Sequence, residues 1–186
     1  SLIKYRNYDK TVQAIATKYL SSAILHYLNN KKEKLPFVIN FLSTERGDGK
    51  SFLINELIKY KIEPIVTMYH FDLPYELQKK GGWGSRETVE AFANYSKVLF
   101  ENFGDRVKYW LTINEQNMMI LHGSALGLVS NDSANPMKDL YQSNHHMLLA
   151  QAKAMKLCHD MFPSAKIGPA PNISTVYPAS SKPEDI

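Results

Sequence analysis

From residue 37 onward, short apolar runs rich in β-branched residues alternate with amphipathic stretches, and that alternation leaves few folds open. Pro36 introduces Phe37-Val38-Ile39-Asn40-Phe41-Leu42, a run of strand length, and Gly47-Asp48-Gly49 then breaks the chain. A helix is predicted over about 51–60, with Phe52, Leu53, Ile54, Leu57 and Ile58 on its apolar side. Ile62 to His70 reads as a second, buried strand, with Pro64 tolerable because a strand start need not donate to the ladder. A loop over 71–85 carries Pro74 and Gly81-Gly82-Trp83-Gly84. The best-marked helix opens near Ser85, a hydroxyl able to accept from first-turn amides, with Glu87 and Glu90 at the positive end of the dipole. Val89, Phe92, Ala93, Ser96, Leu99, Phe100 and Phe103 form its inner face, and Gly104 stops it. Val107 to Asn114 is a third strand, 137–161 a long helix ended by Pro163, and Ala165-Lys166-Ile167-Gly168 opens a fourth strand. The order strand, helix, strand, helix, strand, helix, strand implies right-handed βαβ units and a parallel sheet. Residues 1–34 precede it as a helix striped by Val12, Ile15, Tyr19, Leu20, Ile24 and Tyr27.

Composition narrows the function classes. Lys plus Arg is 22 against 18 Asp plus Glu, a net charge of +4, and the single basic run, Lys31-Lys32-Glu33-Lys34, reads as a solvated loop. No nucleic-acid partner is expected, since that needs clustered charge. No apolar run reaches the ~18 residues of a membrane span, so no membrane partner is expected either. The single cysteine, Cys158, excludes an intrachain disulfide and a multi-cysteine zinc site and reads as a buried, inert thiol. No metal and no cofactor is expected. The first residues hold no signal-peptide core, which makes the cytoplasm the expected compartment.

In parallel α/β folds, active sites collect at the carboxyl ends of the strands. Two strands here end in polar groups, Thr67-Met68-Tyr69-His70-Phe71-Asp72 and Thr112-Ile113-Asn114-Glu115-Gln116-Asn117. Glu115 should sit half buried at an open strand end, where desolvation favours the protonated form. A carboxyl group so placed can protonate a leaving group, a role worth ~10²–10⁴ in rate. On spacing alone, a surface or helix-capping Glu is the more common reading. The adjacent His145 and His146 point ~100° apart on a helix and read as packing or surface residues. His122 reads as structural, and the methionines as helix-interior filler.

The words around Glu115 are more specific. Ile62-Glu63-Pro64-Ile65-Val66-Thr67-Met68-Tyr69-His70-Phe71-Asp72-Leu73-Pro74, then Gly81-Gly82-Trp83, then Phe103-Gly104-Asp105-Arg106-Val107-Lys108-Tyr109-Trp110-Leu111-Thr112-Ile113-Asn114-Glu115 occur in one order and spacing. In these stretches residues 53–186 resemble the glycoside hydrolase family 1 β-glycosidases, retaining enzymes on a (β/α)8 barrel. The resemblance implies that Glu115 is the general acid/base, that Asn114 hydrogen-bonds the sugar 2-hydroxyl, and that His70 contacts a glycone hydroxyl. Trp83 matches a family position as well, and packing accounts for it equally. Family members usually have Trp after the strand His and Pro after the catalytic Glu. Phe71 and Gln116 in those places are similar to the 6-phospho-β-glucosidase branch. The implied substrate is a β-glucoside, most specifically a 6-phospho-β-glucoside.

A retaining glycosidase needs a second carboxyl group ~5–5.5 Å from the first, as nucleophile. In the family it lies on a later strand in a Thr-Glu-Asn-Gly-like context, and these 186 residues hold no such motif. A (β/α)8 barrel takes ~200–250 residues. The expected fold is therefore α/β, a partial (β/α)8 TIM barrel with an extra N-terminal helix. Its expected domains are an unassigned 1–50 and a glycosidase-like 51–186. The chain alone lacks the nucleophile half and is expected to be inactive. A non-catalytic barrel fragment that self-associates, or binds a complementary barrel piece, is one alternative. Another lies in Ser43-Thr44-Glu45-Arg46-Gly47-Asp48-Gly49-Lys50-Ser51, between a strand and a helix, which resembles the atypical P-loop of bacterial tyrosine-kinase and polysaccharide chain-length proteins. There Gly49, Lys50 and Ser51 would bind a nucleotide, Lys50 on the β/γ oxygens and Ser51 on magnesium.

Overall fold

The computed structural model describes residues 50–59, 62–123, 133–175 and 177–185. The expected helix over 1–34 and the expected strand over 37–42 lie outside them. The chain divides into two compact units, Ser1–Pro64 and Ile65–Ile186. In the first, helix α1 (Lys50–Lys59) is followed by Ile62, whose N–H donates to the Leu57 carbonyl at 2.9 Å.

The second unit is a parallel α/β layer. Strands β1 (Ile65–Tyr69), β2 (Tyr109–Asn114) and β3 (Lys166–Ala170) form one sheet in the order β1-β2-β3, all parallel. Between β1 and β2 run helix α2 (Tyr75–Lys79), a 3₁₀ turn at Gly82–Gly84 and helix α3 (Arg86–Phe103). Between β2 and β3 run α4 (Gln116–Leu121) and α5 (Pro136–Met161). Within the described residues, the three later expected strands and the long helices α3 and α5 are present. The short helix α2 occupies a stretch where a loop was expected, and α4 holds Met118 and Met119 in the helix expected for them.

Local chemistry explains the long helices. Ser85 Oγ accepts from the Glu87 N–H at 3.3 Å and caps α3. Asn135 Oδ1 accepts from the Lys138 N–H at 3.1 Å and caps α5, whose first residue is Pro136. Thr88, Val89, Phe92, Ala93, Ser96 and Phe100 of α3 are buried, as are Ser143, His146, Met147, Ala150, Gln151, Ala154 and Cys158 of α5.

The sheet face bearing Trp110 and Thr112 meets these helices. The Trp110 ring stands edge-on to Phe100 of α3 at 5.1 Å, and its Nε1 donates to the Val107 carbonyl. Thr112 Oγ1 lies 3.0 Å from Gln151 Oε1 of α5. Consecutive strand residues point to opposite faces. Ile65 and Tyr109, register partners on the other face, are 65% and 42% exposed. That face is open at the amino end of the strands and closed at the carboxyl end, where the register partners Tyr69 and Ile113 are buried.

Gly104 stops α3 as expected, but its backbone is ordinary αR at φ −65°. The constraint is proximity, since a Cβ there would overlap the Phe162 ring. Gly104→Ala should lower stability by ~1–3 kcal/mol, the usual cost of overpacking, read as a lower denaturant midpoint at unchanged slope. Cys158 is fully buried, and burial pushes its thiol pKa up. The native protein should therefore resist a thiol-disulfide reagent at neutral pH and react stoichiometrically once unfolded.

Candidate active site at the carboxyl end of the sheet

Because the strands are parallel, their carboxyl ends open on one side. His70 follows β1, Asn114 ends β2 and Glu115 follows it. Asn172 lies two residues beyond β3. The structure brings the three sequence-predicted substrate and catalytic residues to one edge and adds Asn172 to them. Asn114 Nδ2 stands 3.5 Å from His70 Nε2, the outer limit of a hydrogen bond. His70 is exposed, and its backbone N–H donates to Asp72 Oδ1 at 2.9 Å. Its ring meets Phe71 edge-on at 5.3 Å.

Glu115 is half buried, as its place at a strand end suggested. It has φ 46° and ψ 42°, in the left-handed region. Phe71, at the corresponding place beyond β1, has φ 62°. For residues with a Cβ this region costs ~1–2 kcal/mol. The turn aims Glu115 away from the strand direction, while its backbone N–H donates to the Ala170 carbonyl at 2.8 Å. Asn172 Nδ2 donates to Glu115 Oε1 at 3.1 Å. Asn117 Nδ2 donates to the Asn172 carbonyl at 2.8 Å, and Asn117 Oδ1 accepts from the Asn172 N–H at 2.9 Å. Gln116 donates to Asn144 Oδ1 and so ties the start of α4 to α5.

Trp83 does not line the site. It is 1% exposed, packs edge-on against Tyr69 at 5.4 Å, and its Nε1 donates to the Tyr69 hydroxyl at 3.3 Å. Burial raises the Tyr69 pKa, outweighing the opposing hydrogen bond from Trp83. His146 is buried, with Nδ1 2.8 Å from the Trp83 carbonyl. A carbonyl only accepts, so that nitrogen carries a proton, and Nε2 faces the Gln142 amide at 2.9 Å. His145 is exposed, consistent with the expected divergence of the pair. His122, expected to be structural, is exposed as well, because it lies past the end of the six-residue α4 and not inside a longer helix.

Of the nucleotide-binding candidates, Gly49 lies outside the described residues, while Lys50 and Ser51 open α1. Among the described residues no group of three or more His, Cys, Asp or Glu could hold a metal ion. Among the same residues, no helix is long and apolar enough to cross a membrane.

These residues define a parallel α/β unit that gathers a carboxyl group, an amide and an imidazole at the carboxyl end of its sheet. A sequence profile described as Glycosyl hydrolase family 1 matches residues 50–186. The chain belongs to that family. It is 44% identical over 135 residues to the 6-phospho-beta-glucosidase of Dickeya chrysanthemi, over 72% of this chain and 29% of the relative. Identity is again 44%, over 137 residues, to Beta-glucosidase A of Thermotoga maritima, covering 72% of this chain and 30% of that one. A solved beta-glucosidase from Thermotoga maritima in complex with deoxynojirimycin matches with a TM-score of 0.62 at 40% identity, over 74% of this chain and 31% of that one. The chain spans about three tenths of the length of these curated relatives.

The left-handed turn at Glu115 makes a stability prediction. Glu115→Gly, which removes the Cβ, should leave stability unchanged or raise it by up to ~1 kcal/mol in chemical denaturation. A clear loss would mean that the carboxyl contacts outweigh the backbone strain.

Proposed function

We propose that these residues form the acid/base arm of a retaining β-glycosidase acting on 6-phospho-β-glucosides. The observation that carries this reading is the carboxyl group of Glu115, turned out of the sheet end beside Asn114, with His70 on the neighbouring strand. Glu115 protonates the departing glycosidic oxygen in the first step. As carboxylate, it takes a proton from water in the second. Asn114 holds the sugar 2-hydroxyl and His70 another glycone hydroxyl. The nucleophile comes from a later barrel strand, so residues 51–186 act as the first part of a (β/α)8 barrel completed by further polypeptide.

Membership of the family supports β-glycoside hydrolysis, and the phosphorylated substrate is the narrower step. Relatives named for phosphorylated and for plain β-glucosides are equally similar to the chain. Phe71 and Gln116 favour the phosphorylated branch.

A hybrid tests this. Residues 50–186 replace the matching segment of a full-length 6-phospho-β-glucosidase or of a β-glucosidase, and chromogenic substrates with and without the 6-phosphate are assayed. The first hybrid is expected to be the more active by about tenfold, or ~1.4 kcal/mol. Glu115→Gln should lower its kcat/KM by ~10²–10⁴. Equal activity of a folded hybrid with and without the Glu115 carboxyl group would sink the acid/base assignment. A better β-glucosidase hybrid would sink the phosphorylated substrate. The 186-residue chain by itself should hydrolyse neither substrate.

A further inference from the structure

The loop after β3 approaches the site through Asn172, a residue that the sequence reading did not single out. Three hydrogen bonds converge on it. The Asn117 side-chain amide donates to its carbonyl at 2.8 Å and accepts from its N–H at 2.9 Å, as a neighbouring strand would. With both backbone polar groups engaged, neither peptide plane flanking Asn172 can turn without breaking a hydrogen bond. Its side-chain Nδ2 then donates to Glu115 Oε1 at 3.1 Å. The Glu115 backbone N–H donates to the Ala170 carbonyl at 2.8 Å, two residues before Asn172. Glu115 is therefore held at its backbone and at its carboxyl tip by one short segment. Asn117 and Asn172 are 55 residues apart in sequence and half buried.

We propose that Asn172, locked by Asn117, is a positioning residue for the Glu115 carboxyl group. The inference rests on the acid/base reading of Glu115. A flexible carboxyl group samples several rotamers, and a general acid works only within hydrogen-bond reach of the oxygen it protonates. The Asn172 donor takes one carboxyl oxygen and leaves the other to face the leaving group. An amide N–H can donate to an oxygen of the protonated carboxyl group as well as to the carboxylate left after proton transfer, so one contact supports both halves of a retaining cycle.

The 186-residue chain, labelled with ¹³C and ¹⁵N, provides the first test. Side-chain relaxation should report an ordered Glu115 and a slowly exchanging Asn172 amide. Asn117→Ala should loosen Glu115 and speed exchange of the Asn172 side chain by about tenfold. Asn117→Asp keeps the acceptor for the Asn172 N–H and should restore part of the order. An equally ordered Glu115 in both Asn117→Ala and Asn172→Ala overturns the proposal.

The second test uses the hybrid described above, which decides the matter if the isolated chain does not fold. General-acid help matters most for poor leaving groups. Asn172→Ala should cost kcat about 10–30-fold on an alkyl or disaccharide 6-phospho-β-glucoside and under about threefold on a 2,4-dinitrophenyl one. An equal loss on both classes, or none, marks Asn172 as merely structural and overturns the proposal. A wild-type hybrid inactive on every substrate would instead tell against the glycosidase reading, and the relaxation data would still decide whether Asn172 holds Glu115.

Discussion

Parallel pairing of β1, β2 and β3 is the constraint from which the rest of the second unit follows. The register runs Ile65↔Tyr109 and Tyr109↔Lys166, with each chain direction the same. Parallel neighbours cannot be joined by a tight hairpin, so each connection must return along the length of the sheet. Helices α3 and α5 make that return and bury the Trp110 and Thr112 face. The same geometry delivers three successive strand ends to one edge. His70, Asn114 with Glu115, and Asn172 meet there because the strands agree in direction, although they are spread over more than a hundred residues.

Polar contacts at that edge take over where the ladder ends. The Ala170 carbonyl accepts from Glu115, and the ladder between β2 and β3 is irregular between Leu111 and Asn114. Amide side chains then stand in for backbone partners, through Asn117 on Asn172 and Gln116 on Asn144. Phe71 and Glu115 both adopt left-handed backbone just past their strands. Such strain persists where surrounding contacts over-determine it, and it turns a side chain out of the strand direction.

The opposite sheet face is less complete at the amino end of the strands, although Tyr69 and Ile113 are buried at its carboxyl end. Ile65 and Tyr109 remain exposed in a structure that spans about three tenths of the curated relatives' length. In a closed barrel that face is interior, filled by side chains from strands on all sides. The open amino-end part of that face therefore fits the proposal that further polypeptide completes the fold.

The sequence by itself determined the order of the long elements and the place of Glu115. Those features are local. Apolar periodicity marks α3 and α5, Ser85 and Asn135 cap them, and β-branched runs mark the strands. The short helix α2 escaped because five residues are too few to show a period. Gly104 was legible as a stop, but its reason was not: Phe162 lies 58 positions on, and only folding presses its ring against that backbone. Asn172 was not legible at all. An asparagine in a polar loop carries no spacing signal, and its partners Asn117 and Glu115 precede it by 55 and 57 residues. Tertiary structure decided which strand-end residues share a site and which amide holds the carboxyl group. Hydrogen bonds depend on distance and direction in space, and for residues so far apart in sequence only the parallel sheet sets either one.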